Sequence, residues 1–204
     1  MSMRIGFGFD SHAFMAGVPL MIGGLAIEHP EGLAGHSDGD VLLHAITDAL
    51  LGAVSAGDIG TFFPPSDPRW KGAASSLFLR TALEEIKSAG YKIVNIDTCL
   101  VMMRPKIVPI AGELRESVAK LLEVAPHQVG IKAKTPEGLN QDGVAVAYAT
   151  VLLESIDDGE NVKKMAAVAD VDEVNSVVES LVIGVRDTSA LGRKVPAFDT
   201  CDLT

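Results

Sequence analysis

Apolar residues recur at every second position at Met3, Ile5, Phe7 and Phe9, which predicts a strand over residues 3–9. Gly6 and Gly8 interrupt its other face, either weakening the packing or admitting something close. Two short apolar runs, VPLMIGG and LAIEH (residues 18–28), flank Gly23-Gly24 and read as a hairpin, followed by a loop, PEGLAGHSDGD. The period then changes. Leu42, Leu43, Ile46, Ala49, Leu50 and Ala53 form a broad stripe that predicts a helix over 39–54, with Asp38 as its N-cap. Asp40, His44 and Asp48 follow every four residues as a polar file. GDIGTFFPPSDPRWKG is punctuated as a loop. A helix over 74–89 closed by Gly90, a strand over 92–102, a helix over about 109–123 and strands over 128–134 and 143–153 complete the pattern. In the 92–102 strand Ile93, Asn95 and Asp97 alternate against Val94, Ile96 and Thr98. This is an α/β (α+β) chain, a mixed β-sheet with helices packed on one face. From about residue 155 the sequence turns polar and linker-like, and its last stretch, after 182, has no clear period. We expect a domain over 1–154 and a C-terminal extension over 155–204, with one short helix at 170–182 and an irregular tail.

Composition narrows the class. The 204 residues are 48% hydrophobic and 22% charged, which fits a folded domain with a sizeable core. A net charge of -10 argues against nucleic acid or an anionic membrane held by bulk charge. It leaves room for a small phosphorylated ligand held by local N–H groups and cations. The two cysteines, Cys99 in an apolar run and Cys201 near the end, form no framework; Cys99 is expected as a buried core thiol. MSMRIGFGFDSH lacks the features of a signal peptide, and no apolar run reaches the about 20 residues that span a bilayer. The expectation is a cytoplasmic protein.

Five stretches bear polar groups that suit chemistry. Asp10 and His12 are two apart at the end of the first strand, so they share a face, and His44 stands on a helix. Together they make a three-ligand set for a zinc-type ion, or else a turn-capping acid beside a packed histidine. Asp40, one turn before His44, either orients its imidazole or sits as a solvated first-turn acid. His36 and Ser37 precede a helix, where an anion or a plain capping loop would fit. Asp58, between glycines, either binds hydroxyls or closes an Asx turn. Met102–Val108 is a strand end with Arg104 and Lys106, suited to a nucleobase, a phosphate or a simple crossover. In KAKTPEG, Thr135 offers a hydroxyl and Glu137 a ligand for a hard cation, unless the segment is merely a solvated strand end.

Taken together, RIGFGFDSHAF, GLAGHSDGDVLLHAITDALLGAVSAGDIGTFFP and SDPRWKGA closely resemble the 2-C-methyl-D-erythritol 2,4-cyclodiphosphate synthase family, from Arg4 to about Leu153. The resemblance implies conversion of 4-diphosphocytidyl-2-C-methyl-D-erythritol 2-phosphate to the 2,4-cyclodiphosphate with release of CMP, in non-mevalonate isoprenoid biosynthesis. It implies one zinc-type cation per site on Asp10, His12 and His44, and a second divalent ion, magnesium or manganese, at Glu137 with the substrate diphosphate. His36 and Thr135 match transition-state stabilisers. Substrate positions match Asp10, Ser11, His12, His36 and Ser37, then Asp58, Ile59 and Gly60. They continue with the loop Phe63, Pro64, Pro65, Ser66 and Asp67, and end with Lys134, Thr135, Pro136 and Glu137. Met102, Met103, Arg104, Pro105, Lys106, Ile107 and Val108 match a segment that cradles cytidine. The resemblance also implies a homotrimer with active sites between subunits.

Three departures qualify it. Val144 stands where many members carry a phosphate-binding arginine, which touches both that contact and any anion on the trimer axis. Pro65 replaces an acid. Residues 155–204 extend past the domain, where a helix packed on the trimer would fit. Two other readings follow from these residues. One is a catalytically impaired relative that binds isoprenoid phosphates or a partner protein. The other is an unrelated zinc phosphoesterase.

Overall fold

The first strand outruns its apolar residues. In the structure, a computed structural model that describes residues 2–138 and 143–156, β1 spans Met3–Ala16 and so contains Asp10 and His12. Its last residues pair with β4 (Glu31–Leu33), a strand hidden in the Gly-rich stretch expected to be loop. Three residues of alternation are too short to register as a period in the sequence. Between them, β2 (Leu20–Ile22) and β3 (Leu25–Ile27) form the predicted hairpin. The remaining strands are β5 (Tyr91–Val101), β6 (Val129–Lys134) and β7 (Val144–Ser155). The five-stranded sheet has the order β4-β1-β7-β5-β6. Because β7 is antiparallel to both β1 and β5, and β6 is parallel to β5, strands β1, β5 and β6 all end at the same edge.

The helices are α1 (Val41–Ala53), α2 (Ile59–Phe62), α3 (Ser75–Ser88) and α4 (Ala111–Leu121). Three sequence expectations are corrected. The N-cap of α1 is Asp40, not Asp38: its carboxylate accepts the Leu43 N–H at 3.1 Å. The loop after residue 57 contains α2 and a 3₁₀ turn over Pro68–Trp70. The helix expected over about 109–123 begins only at Ala111, with Pro109 ahead of it in a 3₁₀ turn, Val108–Ile110.

Helix α1 is the centre of the core. Val41, Leu42, Leu43, Ile46, Leu50 and Leu51 are all fully buried, so the helix is enclosed on nearly every side rather than on one stripe. It rests directly on β1. A Cβ at Gly6 would stand 1.8 Å from the Ala49 carbonyl oxygen, and one at Gly8 1.9 Å from that of Ala45. The two glycines therefore set the strand-to-helix distance, which is the close approach their places in β1 suggested.

On β5 the simple alternation fails. Ile93 pairs with Leu153 and Asn95 with the adjacent Leu152, leaving Val94 as a bulge. The extra residue puts Ile93 and Ile96 on the same buried face, three apart. Cys99 is only half-buried, because its neighbours Thr98 and Leu100 take the core face; it is not the core thiol expected. The opposite face of β1 and β7 carries no described helix, and there Ile5, Phe7, Phe9 and Tyr148 are exposed. The expected helix at 170–182, Cys201 and the rest of 157–204 lie outside the described residues.

Candidate active site

Strand β1 keeps its period through Phe9, so Asp10 and His12 project from one face toward α1, and Ser11 turns to the other. The glycine contact brings α1 close enough for His44 to join them. His44 Nδ1 lies 2.8 Å and His12 Nε2 2.9 Å from the same Asp10 oxygen, Oδ2. The two ring nitrogens are 3.1 Å apart. Three donor atoms thus form a nearly equilateral triangle. Two imidazole nitrogens so close share at most one proton between them, whereas a four-coordinate cation accepts one lone pair from each of the three atoms and keeps a fourth position open. The donor set of two imidazoles and a carboxylate suits a zinc-type ion.

The electrostatics agree with a built site. Burial pushes the Asp10 carboxyl up, but hydrogen bonds and charge from His12 and His44 outweigh it and hold it well below the usual carboxylate range. Burial works against charge on His12, and the Asp10 carboxylate more than offsets it, raising the imidazole above its ordinary value. Burial also raises Asp48, one turn beyond His44; its carboxylate accepts the Ile59 N–H at 2.8 Å and so ties α2 to α1.

The far side of the His44 ring is held too. Its Nε2 lies 2.8 Å from Ser75 Oγ and 3.0 Å from Ser37 Oγ. Ser75 is fully buried at the start of α3, and its hydroxyl donates to Asp38 Oδ1. Asp38 Oδ2 accepts the Ser75 backbone N–H at 3.0 Å. The Asp40 side chain has no part in this. It is fully buried, and its two oxygens accept the N–H groups of Gly23, Gly24 and Leu43. Both sequence readings of Asp40, as the partner of His44 and as a solvated acid, are therefore corrected. Ser75 escaped sequence reading because it lies 31 residues from His44, and only the packing of α3 against α1 joins them.

Other predicted residues gather nearby. His36 is exposed at the turn before α1, and its carbonyl accepts the Gly72 N–H. Asp58 caps α2, with its carboxylate held below the ordinary range by the Thr61 hydroxyl and N–H. Phe63 turns inward. Its ring lies 4.3 Å from that of Phe78 and 5.0 Å from that of Trp70, and Phe78 in turn approaches His44 at 6.0 Å. Pro65 and Ser66 are exposed, and Asp67 is engaged by the Arg69 guanidinium at 2.6 Å.

A second group forms apart from the first. Met102, Lys106, Val108, Lys134, Thr135 and Glu137 line one cavity of about 330 Å³ at the ends of β5 and β6. The Thr135 hydroxyl donates to Glu137. Met103 and Arg104 face another cavity, of about 360 Å³, with Phe14, His29 and Glu31. In register, Asp10 pairs with Ala147, Ala147 with Leu100, and Leu100 with Ala133, so both groups stand at the same edge of the sheet. Three strand spacings separate β1 from β6, about 14 Å.

Residues 3–154 match the family model described as the YgbB family. Over 152 residues the chain is 65% identical to the 2-C-methyl-D-erythritol 2,4-cyclodiphosphate synthase of Koribacter versatilis, covering 74% of this chain and 98% of that one. It is 50% identical over 153 residues to the enzyme of the same name from Aquifex aeolicus, covering 75% of this chain and 98% of the relative. A solved structure described as this synthase in a bound form with CDP superposes with a TM-score of 0.71. It is 43% identical, and the match covers 74% of this chain and all of that one.

Proposed function

The chain belongs to the YgbB family, and from that premise we infer that it acts as a 2-C-methyl-D-erythritol 2,4-cyclodiphosphate synthase. It converts 4-diphosphocytidyl-2-C-methyl-D-erythritol 2-phosphate to the cyclic diphosphate in isoprenoid biosynthesis. The observation that carries the reading is the convergence of Asp10 Oδ2, His12 Nε2 and His44 Nδ1 on one point. In the reaction an oxygen of the 2-phosphate attacks the β-phosphorus, the bond to the cytidine monophosphate oxygen breaks, and CMP departs. Attacking group and target are both anionic, so positioning and charge neutralisation dominate and no covalent enzyme intermediate is needed.

We further propose the division of labour. Asp10, His12 and His44 hold a zinc-type ion, and Glu137 holds a second divalent ion, of magnesium or manganese type. When bound, the two ions supply the positive charge that a net-acidic chain lacks beside the phosphates. His36 and the Thr135 hydroxyl donate to phosphate oxygens, and Ser37 and the Asp58–Gly60 turn orient the substrate. Met102–Val108 receive the cytidine; the CDP in the related structure supports binding of a cytidine nucleotide. Val144, in place of the family's arginine, offers no phosphate contact, leaving Lys106, Lys134 and the second ion to neutralise that end.

We also propose a homotrimer whose sites lie between subunits. Two observations support it. The metal group on β1 and the Thr135–Glu137 segment after β6 stand three strand spacings, about 14 Å, apart across the sheet. The uncovered face of Ile5, Phe7, Phe9 and Tyr148 is an apolar patch of the kind that a neighbouring chain covers.

Incubation with the cytidine substrate tests the activity. Cyclic diphosphate and CMP in equal amounts are the expected products. No turnover would point to an impaired relative, and free inorganic phosphate to a phosphoesterase. Metal analysis tests the site: about one zinc-type ion per chain is expected, lost in His44→Ala.

A further inference from the structure

We infer that Ser75 and Asp38 are positioning residues for His44, acting as a directed hydrogen-bond chain that leaves its Nδ1 lone pair free for a metal ion. The inference rests on the metal reading of Asp10, His12 and His44. The direction of the chain follows from donor counting. An ionised carboxylate only accepts, so the hydrogen bond between Ser75 Oγ and Asp38 Oδ1 must use the single Ser75 proton. Ser75 Oγ then has only lone pairs to offer His44 Nε2, 2.8 Å away. The ring nitrogen must therefore be the donor, Nε2–H to Oγ. In a neutral imidazole with its proton on Nε2, the lone pair is on Nδ1. That is the atom 2.8 Å from Asp10 Oδ2 and 3.1 Å from His12 Nε2.

The anchors of this chain are rigid. Ser75 is fully buried, and its backbone N–H, unpaired within α3, goes to Asp38 Oδ2. The Asp38 N–H donates to the Ala73 carbonyl, and its Oδ1 also accepts the Asp40 N–H at 3.3 Å. One carboxylate thus locks the loop before α1 to the first turn of α3, and through Ser75 it fixes the plane of the His44 ring. Ser37 Oγ, 3.0 Å from the same Nε2, is the weaker partner and lies 3.4 Å from Ser75 Oγ.

Asp38→Asn is the decisive substitution because it keeps the shape and reverses the polarity. The amide NH₂ can donate to Ser75 Oγ, freeing the Ser75 proton to point at Nε2 and moving the ring proton to Nδ1, the wrong tautomer. We expect Asp38→Asn and Ser75→Ala each to weaken zinc affinity about 10- to 100-fold in competition with a chromogenic chelator. The cobalt-loaded variants should show altered visible absorption. The melting temperature of the metal-free chain separates positioning from folding, since a purely structural role would lower it and leave zinc affinity unchanged. A second measurement needs no variant. Nitrogen-15 NMR of the zinc-loaded wild type should show a His44 Nε2–H protected from exchange. Zinc affinity within twofold of wild type in both variants overturns the inference, as does a His44 ring proton that exchanges freely. A wild type that takes up no zinc defeats the metal reading itself, and this inference with it.

Discussion

Asp40 and Asp38 show how far a residue's neighbours in sequence mislead about its neighbours in space. Asp40 is one helical turn from His44, yet its oxygens serve the N–H groups of Gly23, Gly24 and Leu43 in a fully buried pocket. Burial raises its carboxyl above the ordinary range, opposed by those same backbone donors. Asp40→Ala removes the acceptor of three backbone donors, those of Gly23 and Leu43 buried, and we expect it to cost about 2–3 kcal/mol in urea denaturation. Equal stability of variant and wild type would refute that accounting. Asp48 allows a pH test. Its folded carboxyl is raised above its unfolded value of 3.8, first by burial and then by Asp58 and Asp10. The folded state therefore binds the proton more tightly, and its stability declines as pH climbs from about 4 through the raised folded value. Asp48→Asn keeps an acceptor for Ile59 and lacks this decline. On metal-free protein, the melting temperature of the variant minus that of wild type should grow as pH rises above about 4. A flat difference would show that Asp48 does not titrate abnormally.

At the scale of elements, hydrophobic period found every long helix and strand of the described residues. It erred where a structural element was short or irregular. β4 has three residues and α2 four, too few to show a period. The bulge at Val94 shifts the period of β5 in mid-strand. The contact between β1 and α1 is the element-level feature that assembles the metal group, and it depends on two absent side chains. Gly8→Ala would set a Cβ against the backbone oxygen of Ala45, which cannot turn aside, so α1 must shift. We expect a loss of about 3 kcal/mol or more, and weaker zinc retention, since His44 moves with the helix. Gly112→Ala in α4 is the matched control. Nothing stands within 4 Å of its new methyl group, and stability should rise by about 0.5 kcal/mol. Thermal melts of both variants with and without zinc decide the matter; unchanged zinc retention in Gly8→Ala would break the link from strand contact to site.

For the whole molecule, the issue is where one active site ends. The two groups of predicted residues share an edge of the sheet, but β7 lies between β1, which carries the first, and β5 and β6, which carry the second. If neighbouring chains unite them, a His44→Ala chain and a Thr135→Ala chain, each inactive alone, should complement when co-expressed. Random assembly in equal amounts leaves about one site in four with both halves intact, so about a quarter of wild-type activity should return. Recovery of none would mean that each chain builds its own site. The apolar face gives a companion test: Phe7→Asp, placing a charge on that face, should shift the species seen by sedimentation from trimer to monomer.

Much was determined by the order of residues alone. The alternation in β1 put Asp10 and His12 on one face because strand geometry is local, and the 3.6-residue period marked α1, α3 and α4 for the same reason. The family motifs, compact runs such as HSDGDVLLH and GDIG, were legible without coordinates. Only the tertiary structure decided which groups meet across long separations: His44 with Asp10, Ser75 with His44, Asp40 with the β2–β3 turn. These contacts depend on the distance and angle at which whole elements pack. Those are set by the summed fit of many side chains, and no short stretch of sequence contains that sum.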